Sequence, residues 1–86
     1  MGGDEASIQL RRLRWQCRRG MRELDLLLLA FLETGYARLD ATGRAAFERL
    51  LAYPDPLLQQ ILLAGRPTAD PDVNGILDAI RHAAGG

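Results

Sequence analysis

Apolar residues recur along this chain at spacings of three and four, and nowhere do they alternate with polar ones over the length of a strand. That is helix periodicity, and it divides the chain into five helical segments. Leu10, Leu13 and Cys17 mark a stripe on a first helix over about residues 5–18. Leu24, Leu27, Leu28, Phe31 and Leu32 make the core face of a second, over about 21–34. Leu26 and Leu29 widen that face, so the second helix is expected to be central and covered on most sides. Phe47, Leu50 and Leu51 point inward from a third, Leu58, Ile61 and Leu62 from a fourth, and Val73, Ile76, Leu77 and Ile80 from a fifth.

The boundaries carry their own signals. Gly35 stops the second helix, and Asp40 is an N-cap for the third, which ends before Pro54. In "DPLL" Asp55 caps the fourth helix and Pro56 takes its first position, where a missing N–H costs nothing. "DPDV" starts the fifth in the same way. Gly65 and Pro67 close the fourth, and residues 66–72 form the longest loop. The expected architecture is all-α: a compact five-helix bundle forming a single domain over residues 1–86, with 1–5 and 85–86 as flexible ends. Leu27, Leu28, Phe31, Phe47 and Ile76 should be buried.

Composition narrows the function. A chain of 86 residues buries only about 60–65% of its unfolded surface. With 48% hydrophobic residues it can still fold alone. Net charge is zero, from 11 basic and 11 acidic residues, so the whole molecule has no bias toward nucleic acid or membrane. Every basic residue is Arg, which is read as coding bias in a GC-rich genome before it is read as guanidinium recognition. The longest apolar run, "LLLLAFL", is far too short to span a bilayer. "MGGDEASIQ" has the character neither of a secretion signal nor of a mitochondrial presequence. A single Cys excludes an internal disulfide, and a cytoplasmic bacterial protein is expected.

Catalytic groups are scarce. One Ser, one Cys, one His and no Lys provide neither a nucleophile–base pair nor a metal ligand set. His82 sits where a last helical turn favours positive charge, and Cys17 reads as a small core residue. There is no Gly-rich strand–turn–helix to hold a dinucleotide. The chain is expected not to be an enzyme, to bind no metal and to hold no FAD tightly by itself.

What remains is one charged corner, "WQCRRGMRELD". Six arginines and no acid lie between Arg11 and Arg22, and Glu23 and Asp25 follow at once. Arg11, Arg14 and Arg18 share one helix face; Ile8, Arg12, Trp15 and Arg19 form a neighbouring stripe. Trp beside Arg is a frequent composition of interface hot spots. Arg19 and Glu23 could pair only on an unbroken helix, in the weaker orientation for such a pair, and Gly20 is expected to break it.

Arg19-Gly20-x-x-Glu23 with its flanks resembles the hallmark of the succinate dehydrogenase assembly factor family, the SdhE-type flavinylation factors. Arg12 and Trp15 stand where that family tends to have Arg and an aromatic residue. "ELDLLL" with Phe31, then Phe47, Leu50, Leu51 and Asp55, continue the similarity, which weakens after Gly65. One departure is Ile61, where the family often has Trp. The resemblance implies a five-helix bundle that binds the flavoprotein subunit of succinate dehydrogenase or fumarate reductase. It implies a chaperone that promotes covalent attachment of FAD to a His of that subunit, the bond-forming chemistry belonging to the flavin and the client. Arg19, Gly20 and Glu23 would meet the client, framed by Arg12, Trp15, Arg18 and Arg22. A monomer when free is expected.

Two other readings stay open from the residues alone. One is a small nucleic-acid-binding domain using the basic helix at 11–22, which zero net charge and the adjacent acids disfavour. The other is an interaction module for an unrelated partner.

Overall fold

A computed structural model describes residues 2–83. It contains five α-helices: α1 (Gly2–Gln16), α2 (Arg22–Thr34), α3 (Ala41–Leu51), α4 (Asp55–Leu58) and α5 (Pro71–Ala83). A 3-10 turn, Tyr36–Arg38, links α2 to α3, and α4 runs on into a π-turn, Gln59–Leu63. No strand occurs among the described residues. The all-α bundle expected from the periodicity is therefore observed. The expectation for 85–86 lies outside the described residues, while α1 reaches back to Gly2, into the stretch expected to be a flexible end.

The core forms where the helical stripes meet. α2 contributes Leu24, Leu28, Phe31 and Leu32, α3 contributes Ala46, Phe47, Leu50 and Leu51, and α5 contributes Val73, Ile76, Leu77 and Ile80. α5 packs against both α2 and α3. The Phe47 ring lies at the centre, 5.3 Å from Phe31 and 5.5 Å from Tyr36 between centroids, both tilted. Such tilted pairs add about 0.5–1.5 kcal/mol to the area they bury. Near its C-terminal end α1 inserts Leu13, and Cys17 is buried just beyond it.

The helix starts follow their capping residues. Asp40 accepts from the Gly43 N–H at 2.8 Å, as a side-chain N-cap does. Asp70 Oδ1 accepts from the N–H groups of Asp72 and Val73 at the start of α5. Asp55 differs from its expected role. The cap position belongs to Pro54, and Asp55 is the first helical residue, its side chain turned toward the motif loop.

Three burial expectations need correction. Leu10 is 43% exposed and Leu26 56% exposed, and Leu27 is half-buried. α2 is covered on one side and its Leu26 flank faces solvent, so the run of leucines overstated its centrality. α4 is not a regular helix to its end. The Ala64 N–H reaches the Gln59 carbonyl, five residues back, at 3.1 Å. Arg81 of α5 donates to the Ile61 carbonyl in this widened turn at 2.7 Å.

Candidate functional site

The charged corner forms because α1 stops early. α1 ends at Gln16 rather than at Arg18, and the chain closes back on it through Cys17 N–H to the Leu13 carbonyl and Arg18 N–H to the Trp15 carbonyl. Cys17 is fully buried, which pushes its thiol pKa up to about 11 and makes it a core residue with no nucleophilic character. Gly20 follows with φ +76°, the left-handed region that L-residues avoid. A Cβ placed on Gly20 meets nothing within 4 Å, so the glycine is required by backbone shape and the space above it is open. Met21 is extended, and α2 begins at Arg22 with Glu23 and Asp25 in its first turn, where acids suit the helix dipole.

Arg19 takes the least expected place. Its side chain is only 17% exposed. Nη2 donates to the carbonyl of Leu51, the last residue of α3, and Nη1 lies 3.4 Å from Asp55 Oδ1. Its backbone N–H donates to Asp25 Oδ1 at 2.7 Å, and its Nε is buried without an acceptor. Arg19 pairs with Asp55 and not with Glu23, which stands exposed on α2.

The remaining residues sort into three surfaces. Gly20, Arg22 and Glu23 line one shallow depression together with Met21, Leu24, Gln59 and Leu63. Trp15, 74% exposed, groups with Arg11, Arg14 and Arg18, and the Arg18 guanidinium lies 6.0 Å from its ring centroid. Arg12 lines a separate hollow with Gln9, Gln16 and Glu48, and the expected stripe through Ile8, Arg12, Trp15 and Arg19 stops short of Arg19 because α1 ends at Gln16. Arg14 reaches Glu33 at 3.9 Å in an exposed pair of little energetic weight. Among the described residues Arg11, Arg12, Arg18 and Arg22 make no ion pair.

Sequence reasoning missed Gln59, Leu63 and Asp55 as members of this corner. The first two are brought there by the π-turn, which leaves no mark in the apolar spacing. Asp55 carried a visible signal as an acid beside a proline, but that signal also fits a helix cap. Among the described residues no group of three or more His, Cys, Asp or Glu is placed to hold a metal ion. No described helix is long and apolar enough to cross a membrane.

A glycine-kinked loop, open above its backbone, thus stands beside exposed Glu23 and Arg22 on a small helical bundle. The pattern of the family described as flavinator of succinate dehydrogenase matches residues 11–84, and the chain belongs to that family. A protein called FAD assembly factor SdhE in Colwellia psychrerythraea is 38% identical over 69 residues, covering 80% of this chain and 76% of the relative. Another of that name in Haemophilus ducreyi is 30% identical over 76 residues, covering 88% and 93%. A third, in Coxiella burnetii, is 47% identical over 53 residues, covering 62% and 65%. No solved structure matches the chain.

Proposed function

We propose that this chain is an assembly factor that docks on the flavoprotein subunit of succinate dehydrogenase or fumarate reductase and promotes covalent attachment of FAD there. It acts as a monomer in the bacterial cytoplasm and catalyses no bond formation itself. The observation that carries this reading is the coincidence of family and surface. The motif residues Gly20 and Glu23 lie together at an open depression, within a chain matched to the flavinator family over residues 11–84. The nucleic-acid reading has no support from the relatives, and zero net charge counts against it.

The mechanism follows from what the corner offers. Gly20 lets the client's surface approach the loop backbone, because no side chain stands above it. Glu23 accepts from a client donor, and Arg18, Arg22 and Trp15 provide charge and apolar area around it. Such a surface accelerates flavin attachment by binding one arrangement of the client better than the others. A population shifts only by the ratio of the two affinities, so a hundredfold preference, about 2.7 kcal/mol, brings an arrangement populated at about 1% to about half. The flavin is held by the client, and its bond forms on the client's own His.

The test combines apo flavoprotein subunit, FAD and this protein, then denatures the mixture. Flavin fluorescence retained on the client band should rise with added factor and stay at background without it. Equal labelling with and without the factor refutes the reading.

A further inference from the structure

The loop from Arg18 to Met21 has few means of holding its shape. Its backbone bonds run to α1 at one end and to Asp25 at the other. Met21 packs against the core at the far end of the loop, and neither backbone bond ties its middle, Arg19 and Gly20, to the body of the bundle. The Arg19 side chain does so, and it reaches across 32 positions of sequence to Leu51 and 36 to Asp55. The acceptors are complementary to it. Leu51 closes α3, where final carbonyls lack helical partners and a cation suits the dipole. Asp55 opens α4 with a half-buried carboxylate. A guanidinium can serve both at once because its donors are held in a rigid fork; an ammonium on the same stem lacks that geometry.

We propose that Arg19 and Asp55 are a positioning pair: they hold the loop so that Gly20 and Glu23 stand correctly for the client, and neither touches the client itself. The proposal rests on the docking reading above and assigns Asp55 a part in it. It departs from the expectation that Arg19 meets the client together with Gly20 and Glu23. At 17% exposure with both terminal nitrogens engaged inside the chain, Arg19 has little left to offer a partner. Glu23, with no internal hydrogen bond from its side chain among the described residues, has its acceptor capacity free.

The experiment is a double-mutant cycle with two readouts. Arg19→Ala, Asp55→Ala and the double variant are titrated against the apo flavoprotein subunit. In the isolated proteins, amide resonances of Gly20 and Met21 are recorded together with amide exchange at Arg19. Each single variant should weaken client binding about tenfold, and the double should lie within about twofold of the weaker single, because the pair acts as a unit. All three variants should shift the Gly20 amide and speed exchange of the backbone amide at position 19, with α5 resonances unmoved. Asp55→Asn, which keeps an acceptor, should recover most of the binding. Wild-type affinity in Asp55→Ala beside a large loss in Arg19→Ala overturns the proposal, since Arg19 then touches the client directly. Additive losses overturn it as well. Wild-type protein that fails to bind the subunit refutes the docking reading instead. The amide data then stand alone: an unmoved Gly20 in either single variant overturns the clamp, and a shift in both upholds it.

Discussion

Gly20 and Gly65 allow backbone cost to be separated from recognition. Both have φ +76°, and a Cβ on either meets nothing within 4 Å. A side chain therefore costs the same at both positions, namely the left-handed conformation, about 1–2 kcal/mol for an L-residue. In a domain of this size each kcal/mol lowers Tm by roughly 4–8 °C. Gly20→Ala and Gly65→Ala should fall by matching amounts, and Gly20→Asn by less, because Asn tolerates that conformation. Function should divide them. Gly20 lines the depression that also holds Glu23, and Gly65 does not. Gly20→Glu puts bulk and charge where the client's surface must approach. At the centre of an interface such a change can cost about 2 kcal/mol or more, roughly thirtyfold in affinity. Gly65→Glu should flavinylate the client like wild type and Gly20→Glu should not, both being folded by circular dichroism at the assay temperature. Equal activity in the two variants refutes the assignment of the depression as the docking site. Unequal melting of the two Ala variants refutes the argument from backbone conformation.

Three further outcomes are expected. Trp15 is the only Trp and is 74% exposed, so acrylamide should quench its emission readily in the free protein and much less once client is bound; following it needs a client stripped of its own Trp residues or a labelled analogue at position 15. Cys17 should resist iodoacetamide until the protein unfolds, since it is buried and protonated at neutral pH. Its folded pKa lies above the ordinary 9.0, so its contribution to stability is complete below that value and is lost as pH rises toward about 11; Cys17→Ala should flatten that alkaline slope in denaturant titrations. Asp70 has the opposite sign: the hydrogen bond from Arg49 at 2.8 Å, ahead of the N–H groups of α5, holds its carboxyl below the ordinary 3.8. Its stabilising part is present above that value and fades as pH falls through the lower folded one, so Asp70→Asn should melt earlier than wild type at neutral pH and show a shallower acid decline.

The bundle was legible because core helices advertise their faces. Leu24, Leu28, Phe31 and Leu32 repeat at helical spacing, and all are buried. Where the pattern misled, the cause was excess. Leu26 and Leu10 continue apolar runs yet face solvent, since hydropathy counts side chains and not which of them meet a neighbour. The motif itself was legible as a charged break around Gly20. Its internal wiring was not, because Arg19 is satisfied by a backbone carbonyl at Leu51, and carbonyls have no letter in the sequence. The grouping of Trp15 with Arg11 and Arg14 rather than Arg12 turns on which side of α1 packs, and two buried residues, Leu13 and Cys17, decide that.

The early stop of α1 bears on whether the motif can be transplanted. Residues 15–25 contain every letter of it, yet Leu51 and Asp55, which hold the loop in place, lie far along the chain. A synthetic peptide of that stretch would carry the chemistry without the shape and should compete poorly for the client. Grafting the motif onto another helical hairpin should fail for the same reason unless a carbonyl and a carboxylate are supplied opposite the arginine. An inhibitor or engineered mimic must therefore copy a corner of the bundle, and because α2 and α3 are joined through α5, the smallest portable unit is the bundle itself.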